Sequence, residues 1–253
     1  MSRVLATYNG KGGVGKTSAA VNLAYLAAHE GARCLIWDLD PQGATTYLLR
    51  VKPRIKGGGR KLVHGKSDPA ALIKGTDHEG LDLLPADFSY RHMDLALDAT
   101  KRPTRRLARV LAEVAREYDY VVLDCPPSVS LVSESVIEAA HALLVPIVPA
   151  TLSSRTFEQL TAFVSAEARK DPLVLGFFSM VDGRKRLHRE VMESLTAHPG
   201  VLKTAIPAAS DVERMGLLRA PVAQFAPRGR AALAYQELWG EVRERVGSPA
   251  SYA

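Results

Sequence analysis

Short, nearly continuous apolar runs punctuate the chain and predict β-strands at residues 4–8, 32–38, 81–86, 120–124, 142–148 and 173–181. Continuous apolarity, in place of strict alternation, is typical of strands buried on both faces of a parallel sheet. Between these runs apolar residues recur at helical spacing, as they do from residue 107 to residue 118. We therefore predict an α/β fold of one domain over residues 1–253, with a doubly wound, mostly parallel sheet and helices on both faces.

The stretch at residues 230–246 predicts a final amphipathic helix. Its apolar stripe consists of Ala231, Tyr235, Leu238, Val242 and Val246. Most helices with one such stripe bury it internally, so we expect this helix to pack against the sheet. The open alternative is docking on an anionic lipid surface. Residues 247–253 disfavour it because they lack a Lys-rich and Phe- or Leu-rich segment, and we expect no stable membrane anchor.

Composition narrows the classes to which the chain can belong. Its 253 residues are 47% hydrophobic, which is enough for one large core. The formal charge of +6 has the sign that attracts polyanions, either nucleic acid or an acidic membrane surface. The two cysteines, Cys34 and Cys125, lie far apart in apolar runs and offer no disulfide framework or C-x-x-C metal spacing. No signal-peptide pattern and no membrane-spanning apolar run are present, so we expect a cytoplasmic protein.

Residues 50–66 combine a triple glycine with seven basic residues and no acidic residue. Such a composition is typical of flexible segments that bury little surface. We expect a mobile, solvated loop here, with a DNA-contacting role as the less favoured alternative.

The glycine-rich stretch between the first strand and the first helix carries the strongest chemical signal. Residues 10–18 read GKGGVGKTS and match the spacing G-x-x-x-x-G-K-[ST] of a phosphate-binding loop. Glycines let successive backbone N–H groups turn toward an anion at the N-terminus of the following helix. We expect Lys16 to reach the outer phosphates and the Thr17 hydroxyl to bind Mg²⁺. The remaining residues of the predicted cradle are Gly12, Gly13, Val14, Gly15 and Ser18.

Carboxylates follow two of the predicted strands. Asp38 closes the run at 32–38, Asp40 follows two residues later, and Asp124 closes the run at 120–124. Ligands bind at the carboxyl ends of strands in open α/β sheets, so we assign Asp38 and Asp124 as metal candidates. Asp124 fits the Walker B pattern, in which the carboxylate holds Mg²⁺ through water. A simpler alternative for Asp38 or Asp40 is capping of the next turn.

Lys11 adds a second lysine to the phosphate loop, and an ordinary loop of this kind does not need one. With this residue the loop resembles the deviant Walker A box of the ParA/MinD family of dimeric ATPases. The resemblance implies that Lys11 crosses a dimer interface to the nucleotide of the partner subunit. It also implies that ATP and Mg²⁺ are the cofactors and that Lys11, Lys16 and Asp40 are the catalytic residues.

Other segments extend this resemblance along the chain. Residues 38–43 are similar to the switch I signature D-x-D-P-Q-G, in which Asp40 would orient the attacking water. Residues 125–128 resemble switch II, and residues 180–184 resemble a Met-x-Asp-x-Arg turn that places Met180 and Asp182 beside the nucleotide. Pro207 matches an adenine-side loop. The chain departs from the family at Ala44, where Asn is common, and at Ala208 and Ala209, where Arg-Asn often follows the proline.

The resemblance is strongest to stand-alone ParA partitioning proteins. It implies an ATP-dependent homodimer that binds nucleoid DNA without sequence preference. A ParB-like or other partner would stimulate its weak ATPase activity, and the switch would segregate or position DNA or another cargo. The basic residues that we assign to the DNA surface begin near a predicted helix start and continue later in the chain: Arg184, Lys185, Arg186, Arg189, Lys203, Arg214 and Arg219. The alternative for this set is a solvated basic face.

Two other function classes stay open. A MinD-like membrane-cycling regulator of division or positioning would bind lipid. A metabolic or metal-cluster enzyme of the same superfold would need a second substrate pocket or a pair of suitably placed thiolates in each subunit. Cys34 lies in the middle of a predicted strand, so we expect Cys34 and Cys125 to be buried structural residues.

Overall fold

The computed structural model describes residues 2–168 and 170–247. Its strands form one eight-stranded sheet of order β3-β4-β2-β5-β1-β6-β7-β8, in which only β3 is antiparallel to its neighbour. The strands are β1 (Arg3–Thr7), β2 (Cys34–Asp38), β3 (Lys74–Gly75), β4 (Leu81–Leu84), β5 (Tyr120–Asp124), β6 (Ala142–Ile147), β7 (Leu173–Val181) and β8 (Val201–Pro207). The predicted doubly wound, mostly parallel sheet is confirmed.

Helices cover both faces of this sheet. They are α1 (Lys16–His29), α2 (Ala44–Leu48), α3 (Gly58–Val63), α4 (Met93–Asp98), α5 (Arg106–Val114), α6 (Leu131–Ala139), α7 (Ser153–Glu167), α8 (Arg186–Thr196), α9 (Ser210–Leu218), α10 (Val222–Phe225) and α11 (Arg230–Val246). Short 3₁₀ turns lie at Ala70–Leu72, Phe88–His92, Pro103–Arg105 and Ala115–Glu117. None of the helices in the described ranges is long and apolar enough to cross a membrane.

The core divides into one layer on each face of the sheet. One layer joins α1, α10 and α11 to the sheet, and the other joins α4, α5 and α6 together with the inner faces of α7 and α8. Helix α11 buries its predicted stripe fully, from Ala231 to Val246, so the internal-packing prediction is confirmed. The prediction that the chain has no stable membrane anchor rests on residues 247–253. Of these, residues 248–253 lie outside the described residues.

The register of the central strands sets up the candidate site. Thr7 on β1 and Asp38 on β2 both pair with Asp124 on β5, which lies between them. All three side chains therefore lie at the same level, at the carboxyl ends of adjacent parallel strands. The loop from β1 to α1 starts at this edge.

The prediction of a mobile loop at residues 50–66 is wrong. Ile55, Leu62 and Val63 are buried in the core, and the last two belong to helix α3. The triple glycine serves this packing: Gly57 and Gly58 have φ values of 92° and 68°. A Cβ on Gly59 would lie 2.6 Å from the Tyr90 ring. The basic composition concealed three apolar side chains that anchor the segment.

Candidate functional site

The loop between β1 and α1 wraps the N-terminus of α1. Gly15, directly before the helix, has φ of 97°, and a Cβ there would lie 2.8 Å from the Ser179 hydroxyl oxygen on β7. Gly13 also lies in the left-handed region, with φ of 70°. L side chains rarely adopt this backbone conformation, so both positions favour glycine. The loop is held open for an anion at the helix N-terminus, where unpaired N–H groups carry partial positive charge.

The two lysines of the loop differ in exposure. Lys16 is buried, and its Nζ donates to the Lys11 carbonyl oxygen at 2.7 Å. Burial lowers the pKa of Lys16, and the negative charge of Asp124 opposes that effect. Lys11 is exposed, while its backbone N–H donates to the Asn9 side-chain oxygen at 2.9 Å. Asn9 is itself anchored because its amide donates to the Pro146 carbonyl at 2.9 Å. A rigid backbone therefore presents Lys11 at the surface of the loop.

Asp124 is the buried centre of the phosphate end of the site. It accepts hydrogen bonds of 2.8 Å from the hydroxyls of Thr17 and Thr45, both at Oδ2, and a weaker one of 3.3 Å from Thr7 at Oδ1. Its side chain has no solvent exposure, and burial raises its pKa to about 6. Three threonine hydroxyls thus hold a carboxylate that water does not reach.

Asp38 lies next to Asp124 but contacts other groups. Its Oδ2 accepts from both the backbone N–H and the hydroxyl of Thr46, at 2.8 and 2.7 Å. Burial raises its pKa to about 7, and the neighbouring charge of Asp124 adds to that. Asp38 therefore anchors α2, in line with the capping alternative, and its metal role remains a prediction.

The chemistry of the site fits Mg²⁺. Among the described residues there is no cluster of three or more His, Cys, Asp or Glu that could hold a metal ion. Mg²⁺ commonly uses one or two carboxylates, with water and nucleotide phosphates supplying its other ligands. Thr17 and Asp124 supply hydroxyl and carboxylate oxygens of the required kind at the N-terminus of α1. These residues suit an ion that arrives together with phosphate groups.

Asp40 lies at the mouth of the same site. It is half-buried, and its Oδ1 accepts from the backbone N–H of Gln42 at 2.9 Å. This hydrogen bond from Gln42 is the turn-capping contact expected from the sequence as the alternative role of Asp40. Asp40 also lines a cavity that it shares with Lys16 and Thr17, so the turn holds its carboxylate near the phosphate-binding loop.

A cavity of about 350 Å³ collects most of the predicted nucleotide-binding residues. Those that line it are Gly12, Gly13, Gly15, Lys16, Thr17, Ser18, Asp40, Met180 and Pro207. The segment 207–209 at the start of α9 forms its far wall, together with Val212 and Glu213. We call this space the nucleotide cavity.

Three of the predicted nucleotide-binding residues, and the predicted metal ligands Asp38 and Asp124, fall outside the lining of the nucleotide cavity. Lys11 and Val14 instead line an adjoining, mostly apolar cavity of about 540 Å³ between the loop and α7. Asp182 lines neither cavity, and its carboxylate accepts two hydrogen bonds of 3.0 Å from Arg184. That ion pair lowers the pKa of Asp182 to about 2. The structure therefore gives Asp182 a local role in the turn after β7.

Sequence reasoning missed the residues that support the loop and the carboxylates. Thr45 and Thr46 come one residue after the switch I signature, and a hydroxyl pair at that point was the available signal. Asn9, one residue before the glycines, carried no recognisable signal because its role depends on the distant Pro146 carbonyl.

The two cysteines are placed on opposite faces of the sheet. Cys34 belongs to one core layer and Cys125 to the other, and both are buried. Burial raises the pKa of Cys34 to about 12 and that of Cys125 well above its usual value. These thiols cannot share a cluster within one subunit, and both fit the expected structural role.

The predicted DNA-binding residues are surface groups with unequal freedom. Arg184 pairs with Asp182 at 3.0 Å, Arg186 with Glu190 at 2.6 Å, and Arg214 with Asp211 at 3.7 Å. Arg189 donates to the Gly183 carbonyl, and Arg219 donates to the Tyr47 carbonyl. Lys185 and Lys203 are exposed. Four of the seven cluster at the start of α8, whereas Arg214 and Arg219 lie on and after α9.

Comparison with known proteins gives consistent matches. A family model described as an AAA domain matches residues 2–171. The sporulation initiation inhibitor protein Soj of Bacillus subtilis is 31% identical, and the match covers 96% of this chain and 98% of Soj. The chromosome partitioning protein ParA of Caulobacter vibrioides is also 31% identical, over 96% of this chain and 94% of that protein.

A solved structure agrees with these sequence matches. Cobyrinic acid a,c-diamide synthase from Mycobacterium smegmatis, crystallised with an ATP analogue and magnesium, superposes with a TM-score of 0.80. It is 27% identical, and the match covers all of both chains. The family model covers more than half of the chain, and the relatives match nearly its full length. The chain belongs to the ParA/MinD family of P-loop ATPases.

Proposed function

We propose that this protein is an ATP-dependent dimerising switch that binds nucleoid DNA without sequence preference. A partner protein, ParB-like or of another kind, stimulates its weak ATPase activity, and the cycle segregates or positions DNA or another cargo. The whole chain acts as one ATPase domain, in the cytoplasm and on the nucleoid. The observation that carries this proposal is the contrast between the buried Lys16 and the exposed Lys11 in a single loop.

Each lysine suits a different task. Lys16 lines the nucleotide cavity and neutralises phosphate charge within its own subunit. Its present partner, the Lys11 carbonyl, is a neutral acceptor, so an anionic phosphate oxygen competes for the same ammonium group. Lys11 stands on an anchored backbone with its side chain at the surface, where a second copy can receive it. A charge supplied in trans is the device used by arginine fingers.

The cofactors of the switch are ATP and Mg²⁺. When bound, Mg²⁺ would offset negative charge that develops during phosphoryl transfer. Thr17 and Asp124 would hold it, Gly12 to Gly15 would present backbone N–H groups to the phosphates, and Met180 and Pro207 would flank the nucleotide. Asp40, fixed by its bond from Gln42, orients the attacking water.

The DNA surface is assigned to the start of α8. Arg184, Lys185, Arg186 and Arg189 are exposed there, and the first turn of α8 has no acidic residue. Basic side chains at a helix N-terminus are unfavourable because they oppose the helix macrodipole. Their concentration there therefore favours a binding role over a purely structural one. The side chains of the Arg186–Glu190 ion pair are 85% and 52% exposed, and surface pairs of this kind contribute little stability. A phosphate can therefore replace Glu190.

DNA retardation in the Asp40→Ala background, which holds the dimer, tests this assignment. We expect binding that is indifferent to sequence, tighter with ATP than with ADP, and weakened by salt. The slope is about −0.9 in log K per log salt for each phosphate contacted. The double change Arg186→Glu and Arg189→Glu abolishes retardation while ATP binding is retained.

A matched control separates this site from general basicity. The double change Arg60→Glu and Lys61→Glu alters the net charge by the same amount as the α8 double change. Both residues are exposed on α3, which is distant from α8 in sequence. We expect that control to retain DNA. Loss of DNA by the α3 variant alone would move the DNA surface to α3, and retention by both would remove DNA from the proposal.

Two observations weigh against the other classes. Helix α11 has its apolar stripe buried against the sheet and α1, so that stripe is not free for a lipid surface. Sedimentation with anionic liposomes and ATP tests the MinD-like alternative, and we expect the protein to stay in the supernatant.

The metabolic alternative depends on the 540 Å³ cavity, the space available for a second substrate. Its lining offers Tyr8 and Lys11 as its titratable side chains and is otherwise apolar or neutral. Such a lining lacks a carboxylate for acid–base chemistry on a small molecule. An ultraviolet-visible spectrum of fresh protein tests the metal-cluster variant of this alternative, and we expect no absorption from a cluster.

A further inference from the structure

Two arginines, one after α2 and one after α9, each donate hydrogen bonds to the C-terminal end of the other helix. Arg50 follows α2, and its Nε and Nη2 donate to the carbonyls of Arg219 and Leu218 at 3.3 and 3.1 Å. Arg219 follows α9, and its Nε donates to the Tyr47 carbonyl at 2.8 Å. Carbonyls at a helix C-terminus lack intrahelical partners and carry partial negative charge, which a guanidinium satisfies. We call this reciprocal pair the arginine clasp.

Further contacts fix the geometry of the arginine clasp. The guanidinium carbon of Arg219 lies 4.5 Å from the centroid of the Tyr47 ring, a cation–π distance. Arg50 Nη1 lies 3.7 Å from Asp77. Both arginines have left-handed backbones, with φ of 60° for Arg50 and 50° for Arg219. Residues other than glycine hold such conformations when surrounding contacts enforce them.

The arginine clasp joins α2, which does not itself line the nucleotide cavity, to α9, which does. At the phosphate end, α2 is tied to the buried carboxylates through Thr45 on Asp124 and Thr46 on Asp38. At the far wall, α9 follows segment 207–209 and contributes Val212 and Glu213 to the lining. Arg50, directly after α2, donates hydrogen bonds to carbonyls at the end of α9, and Arg219, directly after α9, donates one to a carbonyl of α2.

Helix α2 needs such ties to keep its position. It has five residues, which is far below the length at which an isolated helix is stable. Its own caps supply no side-chain hydrogen bond, and Tyr47 at its C-terminal end is 53% exposed. The threonines fix its first half. In its second half Leu48 is buried in the core, and the arginine clasp holds the Tyr47 carbonyl.

We propose that Arg50 and Arg219 are positioning residues that hold α2 in register with Asp124 and couple it to the wall at segment 207–209. A nucleotide that shifts α9 then shifts α2, and with it the Thr45 hydrogen bond to Asp124. This proposal rests on the proposed ATP binding. It gives Arg219 a task inside the subunit, in place of the DNA contact expected from the sequence.

Hydrogen exchange in nucleotide-free protein tests the arginine clasp directly. The α2 amides of Tyr47 and Leu49 donate to the Gly43 and Thr45 carbonyls. In Arg219→Ala we expect them to exchange about tenfold faster, because a hydrogen bond from a charged group is worth a factor of that order. Arg50→Ala should have the same effect, and the double variant little more, because the two arginines act as one unit.

Two further variants separate the clasp from general damage. Arg219→Gly relieves the positive φ while removing the side chain, so the fold is retained and the fast exchange of α2 remains. Arg243→Ala is the matched control: Arg243 also links two elements, through Glu30 at 2.6 Å, but does not contact α2. It should leave α2 exchange unchanged. Unchanged α2 exchange in Arg219→Ala and Arg219→Gly overturns the proposal.

Turnover provides the second readout. Arg219→Ala should lower hydrolysis at saturating ATP about tenfold while ATP affinity falls much less, because the carboxylate end is displaced. A variant with normal turnover that loses only DNA retention returns Arg219 to the DNA surface and refutes the clasp. If the unmodified protein binds no ATP, the proposed function fails, and the exchange measurement still decides whether the clasp exists.

Discussion

Replacing Asp124 by Asn should stabilise the protein without nucleotide while removing its function. Asp124 is fully buried beside a second buried carboxyl, Asp38, and burial raises its pKa from 3.8 to about 6. At pH 8 the folded state must hold this charge away from water. An amide of the same shape carries no charge and can still bond the hydroxyls of Thr17 and Thr45.

The size of the effect follows from the shift in pKa. Because a tenfold change in proton affinity corresponds to about 1.4 kcal/mol, the rise in the pKa of Asp124 from 3.8 to about 6 means that the ionised carboxyl destabilises the fold by on the order of 3 kcal/mol. The folded-state pKa lies above the unfolded value, so stability is lost as the pH rises from about 4 through about 6. Asp124→Asn should therefore gain about 3 kcal/mol at pH 8, roughly half of that at pH 5, and almost nothing at pH 3.

Thermal unfolding in the presence of EDTA measures this gain. For a chain of this length, about 1 kcal/mol moves Tm by about 2–4 °C, so the variant should melt several degrees higher at pH 8. Asp98→Asn, an exposed site, is the control for charge removal and should leave Tm unchanged. With Mg²⁺ and ATP the order reverses, because only the unmodified protein gains ligand stabilisation. A lower Tm for Asp124→Asn at pH 8 would refute the argument from burial.

Three other changes probe the site. Lys16→Ala should abolish ATP binding in a calorimetric titration, because the buried ammonium group is lost from the phosphate cradle. Asp40→Ala should bind ATP and dimerise in gel filtration with ATP while turnover falls, and unchanged turnover would exclude Asp40 as the catalytic residue. Thr45→Val keeps the side-chain shape but removes one donor to Asp124. It should lower stability by about 1–3 kcal/mol in denaturant titrations, and no loss would show that this hydrogen bond is dispensable.

The sequence predicted the fold well because the relevant signals are local. Continuous apolar runs identified the central strands, and the six predicted runs correspond to β1, β2, β4, β5, β6 and β7. The edge strands β3 and β8 were not predicted. Strand β3 has two exposed residues, and β8 carries the exposed Lys203 among its buried residues, so neither shows a continuous run.

The phosphate end of the site was predicted because one short loop carries most of it. The parts that the sequence did not reveal depend on contacts between distant segments. Thr45 acts on Asp124 across 79 positions, and Arg219 reaches Tyr47 across 172. At residues 50–66, charge dominated the composition, although burial of Ile55, Leu62 and Val63 decides the structure.

The central claim is that Lys11 acts across a dimer interface. Sedimentation of Asp40→Ala with ATP, compared with Lys11→Ala in the same background, tests it most directly. Lys11 contributes only its backbone carbonyl to the contacts of Lys16, so ATP binding should survive the change. We expect a dimer for Asp40→Ala and a monomer that still binds ATP for the double variant. A double variant that forms the same ATP-dependent dimer would contradict it.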